Sequence, residues 1–288
     1  MGRCLWMALA LTWSGCAGTP PDPVASVAVE LERDEVVLGG VLRMGYRFGM
    51  AEGQSPLTKN HRVFVHFVDA DGDVMWTDDH DPPEPTSTWR QGQLISYERT
   101  VFLPPYPYIG TATIRVGLYP PNGAERLPLI GEDDGARSYK VGTLELLPQS
   151  EDVFLRFVNG WHEPEVMPGN PGVRWRWTQA EAMVAFRNPH RDVRLHLRVE
   201  GRPDLVGGPQ GVVLKIADRE VAEFSLETSE VELKQISITQ AQLGDEDMIE
   251  LLIVVDGSFV PAEGAVGGTT DTRELGIRVF NMIIDANR

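Results

Sequence analysis

The stretch DADGDVMWTDDHDPPEPTSTW, from Asp69 to Trp89, holds seven carboxylates and one histidine. Ligands of that kind could hold a hard cation, and carboxylates beside an imidazole could move protons. The spacing argues against a helix–loop–helix calcium site. Such a loop needs glycine at its sixth position and a bidentate glutamate at its twelfth. Counted from Asp69, glycine stands fourth and His80 twelfth. Asp71-Gly72 reads instead as a hairpin signal, because glycine accepts the positive φ that tight turns need. Asp69, Asp71, Asp73, Asp79 and His80 remain as weak metal candidates. DDHDPPEPTSTW reads as a proline-stiffened connection whose Asp and His side chains suit turn and strand-end hydrogen bonds. The sequence implies no cofactor.

Covalent catalysis finds little footing. There is no G-x-S-x-G elbow and no H-E-x-x-H, and the six histidines are scattered. GGPQG at 207–211 lacks the following helix and Lys-Ser/Thr of a phosphate cradle. A carboxylate pair for glycoside hydrolysis needs only that two acids meet in space. With 42 acidic residues the sequence singles none out. The expectation is a protein that is not an enzyme, with a glycan-acting hydrolase as the weakest alternative.

Sugar binding has a clearer physical basis, since the C–H faces of sugar rings pack on aromatic planes while Arg, Asn and His hold hydroxyls. GWHEPE offers Trp161 and His162 in a loop, and FRNPHRD offers Arg187, Asn188 and Arg191 in a hairpin turn. These five are the candidate ligand-binding residues. Trp175 and Trp177 in RWRWT share one strand face, with arginines on the other, and read as sandwich core. Asp271, Arg273 and Glu274 in DTREL read as a buried arginine–carboxylate pair that locks the last strand, rather than as a ligand clamp.

The elements that must position these residues begin after a targeting segment. Arg3 is followed by the apolar run LWMALALTW, too short for the roughly 20 residues of a spanning helix. Residues 1–15 therefore read as a signal peptide. Ser14-Gly15-Cys16 resembles the lipobox of bacterial lipoproteins, departing from it at Trp13; that resemblance implies lipidation of Cys16. Ala17 in place of aspartate implies an outer-membrane destination, with a secreted soluble protein as the alternative. Cys4 and Cys16 are the only cysteines, so the mature chain has no disulfide. Residues 16–25 form a proline-rich tether. The net charge of −16 becomes −17 once Arg3 is removed, which disfavours nucleic acid as a partner. The membrane, through the lipid, and envelope polysaccharide or envelope proteins are the expected partners.

Period-two alternation runs through the rest. DVRLHLRVEG places Val193, Leu195, Leu197 and Val199 on one face and Arg194, His196, Arg198 and Glu200 on the other. TATIRVGLYP and DMIELLIVVDG alternate in the same way, and only TQAQL at 239–243 reads as a helical turn. The fold class is all-β: two tandem antiparallel β-sandwiches, immunoglobulin-like over 26–148 with about seven strands, then jelly-roll-like over 149–288 with eight or nine.

VHFVDADG, DDHDPP, PTSTW and GTATIRVGLYPPNGAERLPL together resemble a β-sandwich module on the extracytoplasmic part of some bacterial membrane-bound glycosyltransferases, and modules of uncharacterised envelope proteins. GWHEPE, RWRWTQAEAMVAFRNP and DTRELGIRVF resemble carbohydrate-binding-like modules. The resemblance implies fold more than activity. The expected function is a cell-envelope lipoprotein that binds or assembles envelope polysaccharide, or else a protein-interaction scaffold without a sugar site.

Overall fold

The computed structural model describes residues 21–53, 55–123, 125–149, 154–263 and 269–286. The expected signal peptide, Cys16 and the start of the tether lie outside these residues.

Alternation becomes burial strand by strand. The first ten strands are β1 (Ala25–Leu31), β2 (Glu35–Val37), β3 (Val41–Met50), β4 (Arg62–Val68) and β5 (Val74–Thr77), then β6 (Leu94–Phe102), β7 (Gly110–Tyr119), β8 (Leu129–Ile130), β9 (Glu132–Asp133) and β10 (Tyr139–Leu147). One sheet has the order β6-β3-β1-β8; the other runs β2-β10-β7-β4-β5, with β9 on β10. Leu42, Met44, Tyr46 and Phe48 of β3 face Val63, Val65 and Phe67 of β4 and Ile114, Val116 and Leu118 of β7, all essentially without exposure. The strand order is immunoglobulin-like, with the first strand split between sheets. Two short pairs, β1 with β8 and β2 with β10, are parallel.

The apolar run from Val36 to Phe48 is not one strand but is broken into β2 and β3. Gly39 takes φ +81° and Gly40 donates to the Val37 carbonyl at 3.0 Å, so the chain turns from one sheet to the other there. An L-residue at either glycine would be strained or would strike the Val37 carbonyl.

The second ten strands are β11 (Leu155–Phe157), β12 (Glu165–Met167), β13 (Asn170–Trp177), β14 (Glu181–Arg187) and β15 (Val193–Glu200), then β16 (Gln210–Ile216), β17 (Arg219–Leu226), β18 (Val231–Ile238), β19 (Met248–Val255) and β20 (Arg278–Asp285). They form the sheets β11-β14-β19-β16-β17 and β12-β13-β20-β15-β18, antiparallel throughout. The four apolar residues of β15 named above pack against Ile249, Leu251, Ile253 and Val255 of β19. Among the described residues two one-turn α-helices occur, α1 (Pro203–Val206) and α2 (Gln240–Leu243). The second is closed by a capping box between Thr239 and Gln242, at the turn expected from TQAQL. Among the described residues no helix is long and apolar enough to cross a membrane.

Trp175 and Trp177 are buried, but not between the sheets. Trp177 lies opposite Arg278 in register, while the next residue along, Val279, belongs to the main core. The tryptophans therefore sit on the outward face, in a separate layer with Leu275, Phe259 and Phe280. The Arg278 guanidinium lies over both indoles, at 5.0 and 4.7 Å, and donates to Glu200 at 2.8 Å. Alternation fixes which residues share a face, and a covering segment decides whether that face is wet.

The two sandwiches touch through polar groups. Arg33, just after β1, donates to both carboxylate oxygens of Asp285 at the end of β20, at 3.4 and 3.0 Å. Gln235 of β18 donates to the Thr100 hydroxyl of β6 at 3.0 Å.

Replacing Trp177 by alanine empties most of the outer layer. A loss of about 3 kcal/mol is expected in urea unfolding. A change below about 1 kcal/mol would mean that the layer contributes little beyond cover.

Candidate functional site

The acidic stretch resolves into a turn and a seam. Asp69 Oδ1 accepts the Asp71 and Asp73 backbone N–H groups at 3.0 and 2.9 Å, closing the loop between β4 and β5 with Gly72 at φ +91°. Asp79 accepts from the Val65 N–H at 3.1 Å and from the Tyr119 hydroxyl at 3.2 Å. His80 is buried; its Nδ1 donates to the Asp78 carbonyl at 2.8 Å, and its Nε2 accepts from the Tyr97 hydroxyl at 2.9 Å. Arg99 of β6 holds both oxygens of Asp78 at 3.0 and 3.1 Å. This segment thus ties β6, an edge strand of one sheet, to the sheet of β4. Burial, then the Arg99 charge, lowers the His80 pKa, and burial raises the Tyr97 and Tyr46 hydroxyls. Among the described residues no group of three or more His, Cys, Asp or Glu is placed to hold a metal ion.

The five sugar-binding candidates fall into two separate groups. Trp161 and His162 lie on the segment that runs beside the end of β13. Gln179 donates to the Gly160 carbonyl at 2.8 Å, and His162 donates to the Trp177 carbonyl at 3.0 Å. The Trp161 indole N–H donates to the Met183 carbonyl of β14 at 2.9 Å. Its ring meets Phe157 of β11 edge-on, with centroids 4.8 Å apart. The Arg176 guanidinium covers the other aromatic, 4.8 Å from the Phe157 centroid, and donates to the His162 carbonyl at 3.1 Å. His162 Nε2 reaches the Glu274 carbonyl at 2.6 Å.

An ion-pair group lies near His162. Arg273 donates to Asp271 and, at 2.8 Å, to Glu165 of β12. Its hydrogen bonds hold the Asp271 carboxyl down at about 2. Arg273 is 39% exposed, so the lock expected from DTREL forms at the surface and not in a buried setting.

Arg187, the last residue of β14, lies about 13 Å from Met183 at the usual strand rise, and Asn188 and Arg191 follow it in the turn beyond. Asn188 is buried; its amide donates to the Gly244 and Glu246 carbonyls at 2.9 and 2.8 Å, and its oxygen accepts from the His190 N–H at 2.9 Å. Those bonds use the side chain to fix the turn. Arg187 is exposed and Arg191 half-buried.

Sequence reasoning missed Phe157 and Arg176. Phe157, 38% exposed on a three-residue strand, is the most open aromatic of the cluster. A second surface was also missed. On the outward face of β1, β3 and β6, Gly45 floors an open trough of about 510 Å³ walled by Glu30, Glu32, Arg43, Arg47 and Glu98. Glu30 and Glu98 flank Gly45 in register, and Arg47 pairs with Glu30 at 2.7 Å. The signal was present in RMGYR, a glycine between arginines inside a strand.

No family model matches the chain, and no curated protein does. Among solved structures, the N-terminal CBM22-1–CBM22-2 tandem domain of Xyn10C from Paenibacillus barcinonensis aligns with 87% of this chain and 80% of its own, at 10% identity and a TM-score of 0.28. Trypsin-activated alpha-2-macroglobulin from Escherichia coli aligns with 91% of this chain and 15% of its own, at 13% identity and a TM-score of 0.26. The CBM51-2 and INT domains of ZmpB from Clostridium perfringens align with 62% and 38%, at 8% identity and a TM-score of 0.26. The chain thus spans most of the first structure and well under half of the other two.

Gly160 is what lets Trp161 reach Phe157. Its φ is +74°, and a Cβ there would stand 1.8 Å from the Glu181 carbonyl oxygen. Gly160→Ala should cost about 3 kcal/mol in thermal or urea unfolding and displace Trp161. Gly169→Ala, at φ +81° with open space around the added carbon, should cost only the left-handed penalty of about 1 kcal/mol. Equal costs would remove the close-approach explanation.

Proposed function

We propose that this chain is a non-enzymatic binding module of the bacterial cell envelope, anchored by a lipid on Cys16, whose second sandwich binds envelope polysaccharide through Phe157, Trp161 and Arg176. The observation that carries this reading is the half-open aromatic pair of Phe157 and Trp161, braced by the Arg176 guanidinium. An aromatic plane takes the apolar face of a sugar ring, while charged neighbours take hydroxyls. Phe157 is 38% exposed on an edge strand, which suits a long polymer better than an enclosed small ligand.

Two features support a binding role over hydrolysis. His80 and its carboxylate neighbours are engaged within the seam of the first sandwich. Glu30 and Glu98 stand two strand spacings apart, about 9.6 Å between Cα atoms, but each is 70% exposed. A glycosidic general acid needs a carboxyl shielded from water.

The purified protein is expected to be retarded in affinity gels containing bacterial lipopolysaccharide O-chains, capsular polysaccharide or soluble peptidoglycan strands. Phe157→Ala and Trp161→Ala should each weaken the retarding interaction roughly tenfold, and Arg47→Ala should leave it unchanged. Retardation by none of these polymers would favour the protein scaffold.

The anchor has a separate test. Expressed in a bacterium fed labelled palmitate, the chain should incorporate label and fractionate with the outer membrane, and Cys16→Ser should lose both. Label retained in Cys16→Ser would end the lipoprotein reading.

A further inference from the structure

We propose that the contact between the two sandwiches is a proton-operated joint keyed by His196, closed when the imidazole is neutral and opened when it is protonated. His196 stands on the polar, outward face of β15, where strand alternation alone would leave it in water. Its side chain is only 5% exposed, and neither ring nitrogen has a hydrogen-bond partner. A buried imidazole left in that condition is costly, and the cost rises further when it carries charge.

The surrounding charges do not make up for that burial. Asp285 of β20 lies 4.0 Å from Nε2, but both of its oxygens already accept from Arg33 of the first sandwich. The other charges facing the ring are Arg194 on its own strand, and Glu32 and Arg43 from the first sandwich. On β18 the residue in register is Gln235, which is uncharged and bonded to Thr100; on β20 it is Ile283. Asp285 and Glu32 favour a proton on His196 while Arg194 and Arg43 oppose it, and these opposed charges do not overcome burial, the largest influence. The contacts holding the joint shut are a few polar bonds, each worth on the order of 1 kcal/mol. One protonation is comparable with that.

The direction follows from burial. The largest influence on His196 is desolvation, which lowers its pKa while the joint is closed. Opening returns the ring to water and to its ordinary value of about 6.5. The closed joint is therefore at full strength above about pH 6.5 and weakens as the pH falls below it. Glu32 and Arg43 also wall the Gly45 trough, so opening reshapes one end of that surface.

Small-angle scattering of the purified protein between about pH 7.5 and about pH 5.5 tests this, with circular dichroism confirming unchanged strand content. The radius of gyration should rise reversibly on acidification. His196→Leu should stay compact across the range, and Arg33→Ala should be expanded already at the higher pH. A wild-type radius that does not change overturns the proposal, and so does an acid expansion that persists in His196→Leu. His196→Gln, uncharged at every pH, provides the same comparison should the leucine variant fail to fold.

Discussion

A β-strand has two faces, and a two-layer sandwich has room for only one of them in its core. Everything distinctive about this chain lies in how the second faces are treated. On β4 the outward Phe64 is buried beneath Arg126, whose guanidinium stands 4.1 Å from its ring. On β13 and β20 the outward tryptophans and Arg278 lie under Phe259 and Leu275. On β15 the outward His196 is covered by the first sandwich. The outward face of β1, β3 and β6 stays open as a trough, because Gly45 leaves its centre without a side chain.

The same constraint explains the fate of the acidic stretch. The edge strand β6 carries Tyr97 and Arg99 toward the interior, in register with Tyr46 and Met44. A phenol and a guanidinium at the rim of an apolar core need partners. The Asp78–His80 segment supplies an imidazole for the first and a carboxylate for the second. A segment that looks like a metal site in one dimension is, in three, the polar closure of an open sandwich edge. Its density of charge reflects how many donors the rim presents.

What could be read from the sequence follows the same division. Inward faces were legible because alternation is a local property: the residues assigned to the cores of β7, β15 and β19 are buried there. The capped turn at α2 was legible for the same reason. Gly39 was not, since a strand that changes sheet keeps its apolar pattern on both sides of the break. The cover over Trp175 and Trp177 comes from residues about 80 to 100 positions away, and that over His196 from residues more than 150 positions earlier. No local pattern carries such information. Trp161 and His162 could be singled out by type; Phe157 and Arg176, which complete the cluster, sit within ordinary strand sequence.

The charge of the whole chain bears on how the joint behaves. At −16 the two bodies repel each other, and acidification ought to draw them together by neutralising carboxylates. That relief comes late, because carboxylates as a class titrate near 4 while imidazoles titrate near 6.5. Between those values the only side chains changing charge in number are histidines, and four of the six have pKa values pushed down by burial. His61, His66 and His80 lie within the first sandwich, where cooperative packing resists a single unfavourable proton. His196 lies where two bodies meet through a few polar bonds, so its proton has the least structure to overcome. The contact between the sandwiches is thus the part of the fold that mild acid reaches first.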